Sequence, residues 1–117
     1  MQLLNSLFRV ADRRQEGEQT VFDVELCADH LIYLAHFPGH PITPGVCVMQ
    51  MVCELAAEIV GHPVHMTGAK NVKFLAPIIP TATPRVTVRM TVEPTRIVAA
   101  VEGGEQVMAK LSLCHEA

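Results

Sequence analysis

Fifteen consecutive residues, Val46 to Val60, contain neither glycine nor proline, and only Gln50, Glu54 and Glu58 interrupt their apolar character. Such a run is too long for an ordinary strand and fits about four turns of helix. The three polar residues recur at every fourth position, which on a helix aligns them in one stripe. A helix apolar on nearly every other side must be wrapped by protein. Gly61, His62 and Pro63 end it in the expected way, with a glycine for the left-handed cap and a proline beyond.

What can wrap such a helix is bounded by size. The 117 residues fit one domain, spanning 1–117, and leave no room for a second. Half of the residues are hydrophobic and 18% are charged, which excludes a disordered polyelectrolyte. A net charge of −3, no Trp and one Tyr argue against a nucleic-acid module, which needs a basic face or stacking aromatics. No apolar run approaches the length of a membrane span, and the first ten residues lack the pattern of a secretory signal. Cys27, Cys47, Cys53 and Cys114 form no CxxC pair, so four reduced thiols in a cytoplasmic protein are expected.

The remaining chain reads as strands. Thr20–Ala28 alternates, with Phe22, Val24 and Leu26 on one face and Asp23 and Glu25 on the other. Arg85–Val92 does the same, with Val86, Val88, Met90 and Val92 inward and Arg85, Thr87, Arg89 and Thr91 outward. Phe8–Gln15 and His65–Leu75 are less regular candidates. Arg96–Val101 and Gln106–Leu113 flank Gly103-Gly104, taken as the two-residue loop of a tight hairpin. Asp29–Gly45 differs in kind: Pro38, Gly39, Pro41, Pro44 and Gly45 exclude regular structure, while Tyr33, Leu34, Phe37 and Ile42 supply apolar anchors. The sum is an α+β arrangement, an antiparallel sheet curled around one long helix.

The loop entering the helix carries the chemistry. It fixes an imidazole, His36, ahead of a helix N-terminus, and imidazole is suited to proton abstraction near neutrality. The first helix amides, at Gly45 and Val46, lack intrahelical acceptors and can hold an oxyanion. Removing a proton next to a carbonyl builds charge on the carbonyl oxygen, so a base and an amide-lined hole are the parts such a reaction needs.

The segment His36-Phe37-Pro38-Gly39-His40-Pro41-Ile42-Thr43-Pro44-Gly45-Val46 resembles the HFPGxPxxPGV signature of the hotdog-fold 3-hydroxyacyl-ACP dehydratases. Val10-Ala11-Asp12-Arg13 with Glu16-Gly17-Glu18 resembles that family's first strand and turn. Asn71-Val72-Lys73-Phe74 with Ala76-Pro77-Ile78-Ile79-Pro80 resembles its strand after the helix. The resemblance implies a hotdog fold, His36 as catalytic base and Gly45 as amide donor to the thioester carbonyl. Val46, Phe37 and Pro44 are expected to line the substrate site. It further implies a homodimer or a dimer-based higher oligomer, with His36 of one subunit facing helix residues of the other. The substrate is a thioester of acyl carrier protein or of CoA. No metal, nucleotide or flavin is expected, and neither nucleic acid nor membrane is a partner.

One departure stands out. The family carries Glu or Asp fourteen residues after its histidine, where this chain has Gln50, and usually Gln four residues further on, where this chain has Glu54. A carboxamide cannot deliver a proton and a carboxylic acid can. Three readings follow: a dehydratase in which Glu54, or a water held by Gln50, protonates the departing hydroxyl; a thioesterase using Glu54 or Glu58; and an acyl-thioester-binding protein without turnover. Glu54 also has a purely structural reading, as an acceptor for backbone amides of the loop covering the helix. Arg13-Arg14 and the Arg85/Arg89 face are candidate docking points for an acidic carrier, or an ordinary solvated surface.

Overall fold

Alternating sequence becomes sheet. The computed structural model describes residues 2–35, 39 and 41–116. Among these the chain forms β1 (Phe8–Glu16), β2 (Gln19–Leu26), α1 (Leu31–Ala35), α2 (Gly45–Val60), β3 (Met66–Phe74), β4 (Arg85–Val92), β5 (Arg96–Gly103) and β6 (Gln106–His115). The strands make one sheet in the order β1-β2-β4-β5-β6-β3. Every neighbouring pair is antiparallel. The two segments that alternate, β2 and β4, bury Phe22, Val24 and Leu26, and Val86, Val88 and Met90, while Val92 at the end of β4 is only half-buried; β6 buries Ala109, Leu111 and Leu113.

Helix α2 lies over β4 on the inner face of this sheet. It contributes Cys47, Val48, Met51, Val52, Cys53, Leu55 and Ala56 to the core. Burying a side chain the size of Val, Leu or Met contributes roughly 1.5–3 kcal/mol, so this face is a major favourable contact of the fold. The sheet covers one broad side of the helix and leaves another open, with Val46 67% exposed and Gln50, Glu54 and Ala57 half-buried. Gly61 closes the helix with φ 80° while its amide donates to the Ala57 carbonyl at 2.8 Å. Among the described residues no helix is long and apolar enough to cross a membrane.

Two local expectations are corrected. The segment 29–45 does contain a short helix, α1, because its prolines and glycines all lie beyond Ala35. The His30 ring caps it by accepting the Ile32 amide on Nδ1 at 3.0 Å. The β5–β6 hairpin turns one residue later than Gly103-Gly104. Gly103 pairs with Gln106, and Gly104-Glu105 makes the turn, with Gly104 at φ 64°. A register shift after Val101 leaves Met108 between paired positions, and its carbonyl accepts the amides of Leu75 and Ala76 at 2.8 and 3.2 Å. His115 is buried with its ring nitrogens 2.8 Å from the Glu93 carbonyl and 2.7 Å from that of Glu116.

The outer face of the sheet carries a ladder of ions across four strands. Glu25 receives Arg9 and Arg85, both at 2.7 Å; Asp23 receives Arg14 at 2.8 Å and the Thr87 hydroxyl at 3.0 Å. Arg89 joins Glu16 at 2.7 Å to Glu102 at 2.8 Å. Arg14, Arg85 and Arg89 are thus neutralised by cross-strand acids and do not form a bare cationic face. Arg13 stands apart, over the Phe22 ring at 5.5 Å and donating to the Glu58 carbonyl near the end of α2 at 3.3 Å.

The ladder sets a pH dependence. Arg89 and then Arg14 hold the Glu16 carboxyl below the usual carboxylate range, and Arg9 and then Arg85 do the same for Glu25. At Asp23 partial desolvation pulls upward, but the bonds from Arg14 and Thr87 outweigh it and the net shift is downward. Carboxyls depressed in the folded state stabilise it above their unfolded pKa, and that contribution disappears as pH falls through the folded values. The melting temperature should therefore be flat from pH 7 to 5 and fall below about pH 4. In 1 M salt the drop should shrink, because exposed pairs are screened. A pH-independent melting temperature down to pH 2.5 would show that the ladder contributes nothing.

Candidate functional site

The site is built around the start of α2. Pro44 is its N-cap, at φ −60° and ψ 144°, and offers no side-chain cap. The first intrahelical donors are the amides of Cys47 and Val48, both to the Pro44 carbonyl, at 2.9 and 3.1 Å. The amides of Gly45 and Val46 precede them in the uncapped first turn, where helix geometry provides no acceptor. The approach to this turn is pinned from behind. Tyr33, 2% exposed, places its hydroxyl 2.9 Å from that of Thr43, and the Thr43 amide donates to the Ile78 carbonyl at 2.8 Å. Burial pushes the Tyr33 phenol upward against the opposing hydrogen bond to Thr43, so the pair is a neutral strut.

Gly45 and Val46 face different spaces. A Cβ on Gly45 would meet the Phe74 ring at 2.9 Å, so glycine lets that ring lie against the helix start. There, Gly45 borders a pocket of about 330 Å³ with Thr43, Val48, Phe74 and Ile78. Val46 opens instead onto a larger cleft of about 750 Å³ that follows the uncovered stripe of α2 past Gln50 and Glu54 to Glu58. Gln2 and Leu4 form part of its rim, and His62, His65 and Met66 close its far end.

Glu54 is the most heavily bonded side chain in this cleft. Its Oε1 accepts the amides of Leu3 at 2.9 Å and Leu4 at 2.8 Å. Its Oε2 accepts the Leu3 amide at 2.8 Å and the Nε2 of Gln50 at 2.9 Å. The structural reading of Glu54 holds in kind, with the backbone donors supplied by the N-terminal turn. The cysteines of α2 are packing groups: desolvation pushes the Cys47 thiol up, and desolvation with the Glu54 charge pushes Cys53 up.

Of the residues singled out in the sequence, Val46, Gln50 and Glu54 meet in one cleft, Gly45 borders the neighbouring pocket, and Pro44 forms the cap between them. His36 and Phe37 lie outside the described residues. Sequence reasoning missed the N-terminal turn. Leu3 and Leu7 are 1% and 0% exposed, and the Leu3 carbonyl takes the amides of Ser6, Leu7 and Phe8 at 3.0, 2.8 and 3.3 Å. The apolar spacing of Leu3, Leu4, Leu7 and Phe8 was the available signal for a packed segment.

Sheet order, helix placement and the uncapped first turn define a hotdog-fold protein. The family described as ApeI-like, ApeI dehydratase, matches residues 12–111, and the chain belongs to it. A 3-hydroxyacyl-[acyl-carrier-protein] dehydratase FabZ of Thermomicrobium roseum is 28% identical over 93 residues, covering 71% of this chain and 62% of the relative. The chain thus spans less than two thirds of that relative. The FabZ of Ligilactobacillus salivarius is 27% identical over 116 residues, covering 86% of this chain and 83% of the relative. The solved structure of the dehydratase heterocomplex ApeI:P from Xenorhabdus doucetiae superposes with a TM-score of 0.78 at 16% identity, covering 92% of this chain and 96% of that one.

Removing the Glu54 carboxylate strands the amides of Leu3 and Leu4. Glu54→Ala should lower stability by about 2–3 kcal/mol, since part-buried donors lose their acceptor. Hydrogen exchange should accelerate at Leu3 and Leu4 before it does so in the β4 core. Unchanged protection of those two amides would show that the turn is held by the burial of Leu3 and Leu7 alone.

Proposed function

We propose that this chain is a 3-hydroxyacyl-thioester dehydratase acting on acyl groups borne by a carrier protein. The observation that carries the reading is that one cleft runs from the uncapped first turn of α2, at Val46, to Gln50, where the resemblance expects the acidic partner of His36. Membership of the ApeI-like family and the FabZ relatives support the reaction class, and the relatives' names support a carrier-protein thioester over one of CoA.

In this reading the amides of Gly45 and Val46 take the thioester carbonyl and stabilise the enolate charge. His36 removes the α-proton, the electron pair forms the new double bond, and the bond from the β-carbon to oxygen breaks. The imidazolium of His36 returns its proton to the departing oxygen through a water held at Gln50, so water leaves and the base is regenerated. Phe37 and Pro44 line the path of the acyl chain. The working unit is a homodimer formed by a second copy of the chain at β3, with His36 of one subunit facing α2 of the other. The edge position of β3 and its exposed Met66 and Phe74 support this assembly. Its compartment is the cytoplasm.

A second reading, thioester binding without turnover, is favoured by one observation: four hydrogen bonds already occupy Glu54, and Gln50 is no acid. Hydration of a trans-2-enoyl thioester separates the two. Wild type should produce the 3-hydroxyacyl thioester, and His36→Ala should lower kcat/KM by about 100-fold or more. Equal rates in the two proteins would remove His36 from the mechanism. An inactive wild type that becomes active as Gln50→Glu would establish the second reading.

A further inference from the structure

One buried hydrogen bond ties α1 to the start of α2. Helix α1 is a single turn of five residues and fully buries only Tyr33, with Leu31 and Leu34 exposed. A helix this short has little stability of its own, so its seat on the core is chiefly the Tyr33 side chain. The Tyr33 hydroxyl lies 2.9 Å from that of Thr43, ten residues on, and both residues are buried. Thr43 is held a second time, through its amide on the Ile78 carbonyl at 2.8 Å. From Thr43 the chain reaches the Gly45 amide through Pro44 alone, whose ring fixes φ at −60°. A displacement of Thr43 therefore passes directly to the first-turn amides.

A Phe facing a Val would fill the same space without burying two hydroxyls, and one neutral hydrogen bond contributes little net stability. What the bond adds is a fixed separation between two segments of chain. We infer that Tyr33 and Thr43 are positioning residues for the reaction: their hydroxyl bond locks the end of α1, from which the chain runs on to His36, to the uncapped start of α2. The inference rests on the dehydratase reading and deepens it by naming what holds the approaches to the base and to the amide hole. Tyr33 lines neither the cleft nor the smaller pocket, so it acts only through the chain it holds. In sequence His36 follows Tyr33 by three residues and Gly45 follows Thr43 by two, so a slackened tie loosens the approach to each. Steps that depend on aligned groups lose rate steeply with a misplacement of about 1 Å.

The test follows hydration of trans-2-octenoyl pantetheine by the full chain, with the melting temperature of each variant measured alongside. Tyr33→Phe and Thr43→Val each remove one hydroxyl and leave the other buried without its partner. Each should lower kcat by about 10- to 100-fold with KM within about twofold of wild type, and each should lower the melting temperature. Thr43→Ser keeps the hydroxyl and should recover most of kcat. The double variant Tyr33→Phe/Thr43→Val decides the matter, because replacing both partners by apolar groups of similar shape is nearly neutral for stability. It should melt within a few degrees of wild type and still show a kcat about 10- to 100-fold lower. A double variant with wild-type kcat would overturn the inference, since the bond would then serve stability alone. A double-variant loss equal to the product of the two single losses would overturn it as well, because the two hydroxyls would then act independently. If wild type does not hydrate the substrate, or His36→Ala does so equally fast, the dehydratase reading fails and takes the inference with it.

Discussion

The structure depends on one packing contact: a helix with a single polar stripe laid against a sheet whose strands alternate. Seven α2 side chains enter the core, and the strands beneath supply mostly Val, Leu, Met and Ala, with the two rings of Phe8 and Phe22. Small branched side chains keep sheet and helix close, which is how a chain with 4% aromatics builds a core at all. Everything polar on α2 is thereby confined to the flank the sheet does not cover. The cleft is a consequence of that confinement, since the same helical period that aims Val48, Val52 and Leu55 at the sheet aims Val46, Gln50 and Glu54 away from it.

The two faces of the sheet divide the work. The inner face carries the burial energy, and the outer face of β1, β2, β4 and β5 carries charges in cross-strand register. Exposed pairs of this kind contribute little to stability one at a time. Linked through shared arginines, they hold the strand register from outside, because a one-residue slip would send each acid to the inner face. Arg14 and Arg89, candidates for carrier docking by composition alone, are occupied in this way.

Legibility in the sequence followed the range of the interaction. Alternation in β2 and β4 and the helical stripe are local periodicities, and each was readable to within a residue or two. The α1 helix was not, because proline density averaged over Asp29–Gly45 hid a proline-free stretch before Pro38. The hairpin turn shifted by one residue because adjacent glycines do not say which of them takes the positive φ; Gly104 does. The backbone partners of Glu54 lie 50 and 51 residues away in sequence, and no spacing rule reaches that far. That Glu54 accepts backbone amides was foreseeable from its chemistry; which amides was decided only by the fold.

The two margins of the sheet are chemically unlike. β1 presents Arg9, Asp12, Arg13, Arg14 and Glu16 along a strand interrupted by a bulge, features that turn away an incoming strand. β3, at the other margin, exposes Met66 and Phe74 and has no neighbour on its outer side among the described residues. Growth of this sheet is therefore one-sided. If two identical copies meet through β3, the joined sheet has a β1 margin at both ends, and each refuses the next arrival. The pairing terminates itself at two, so the same asymmetry that admits a companion also prevents a fibre.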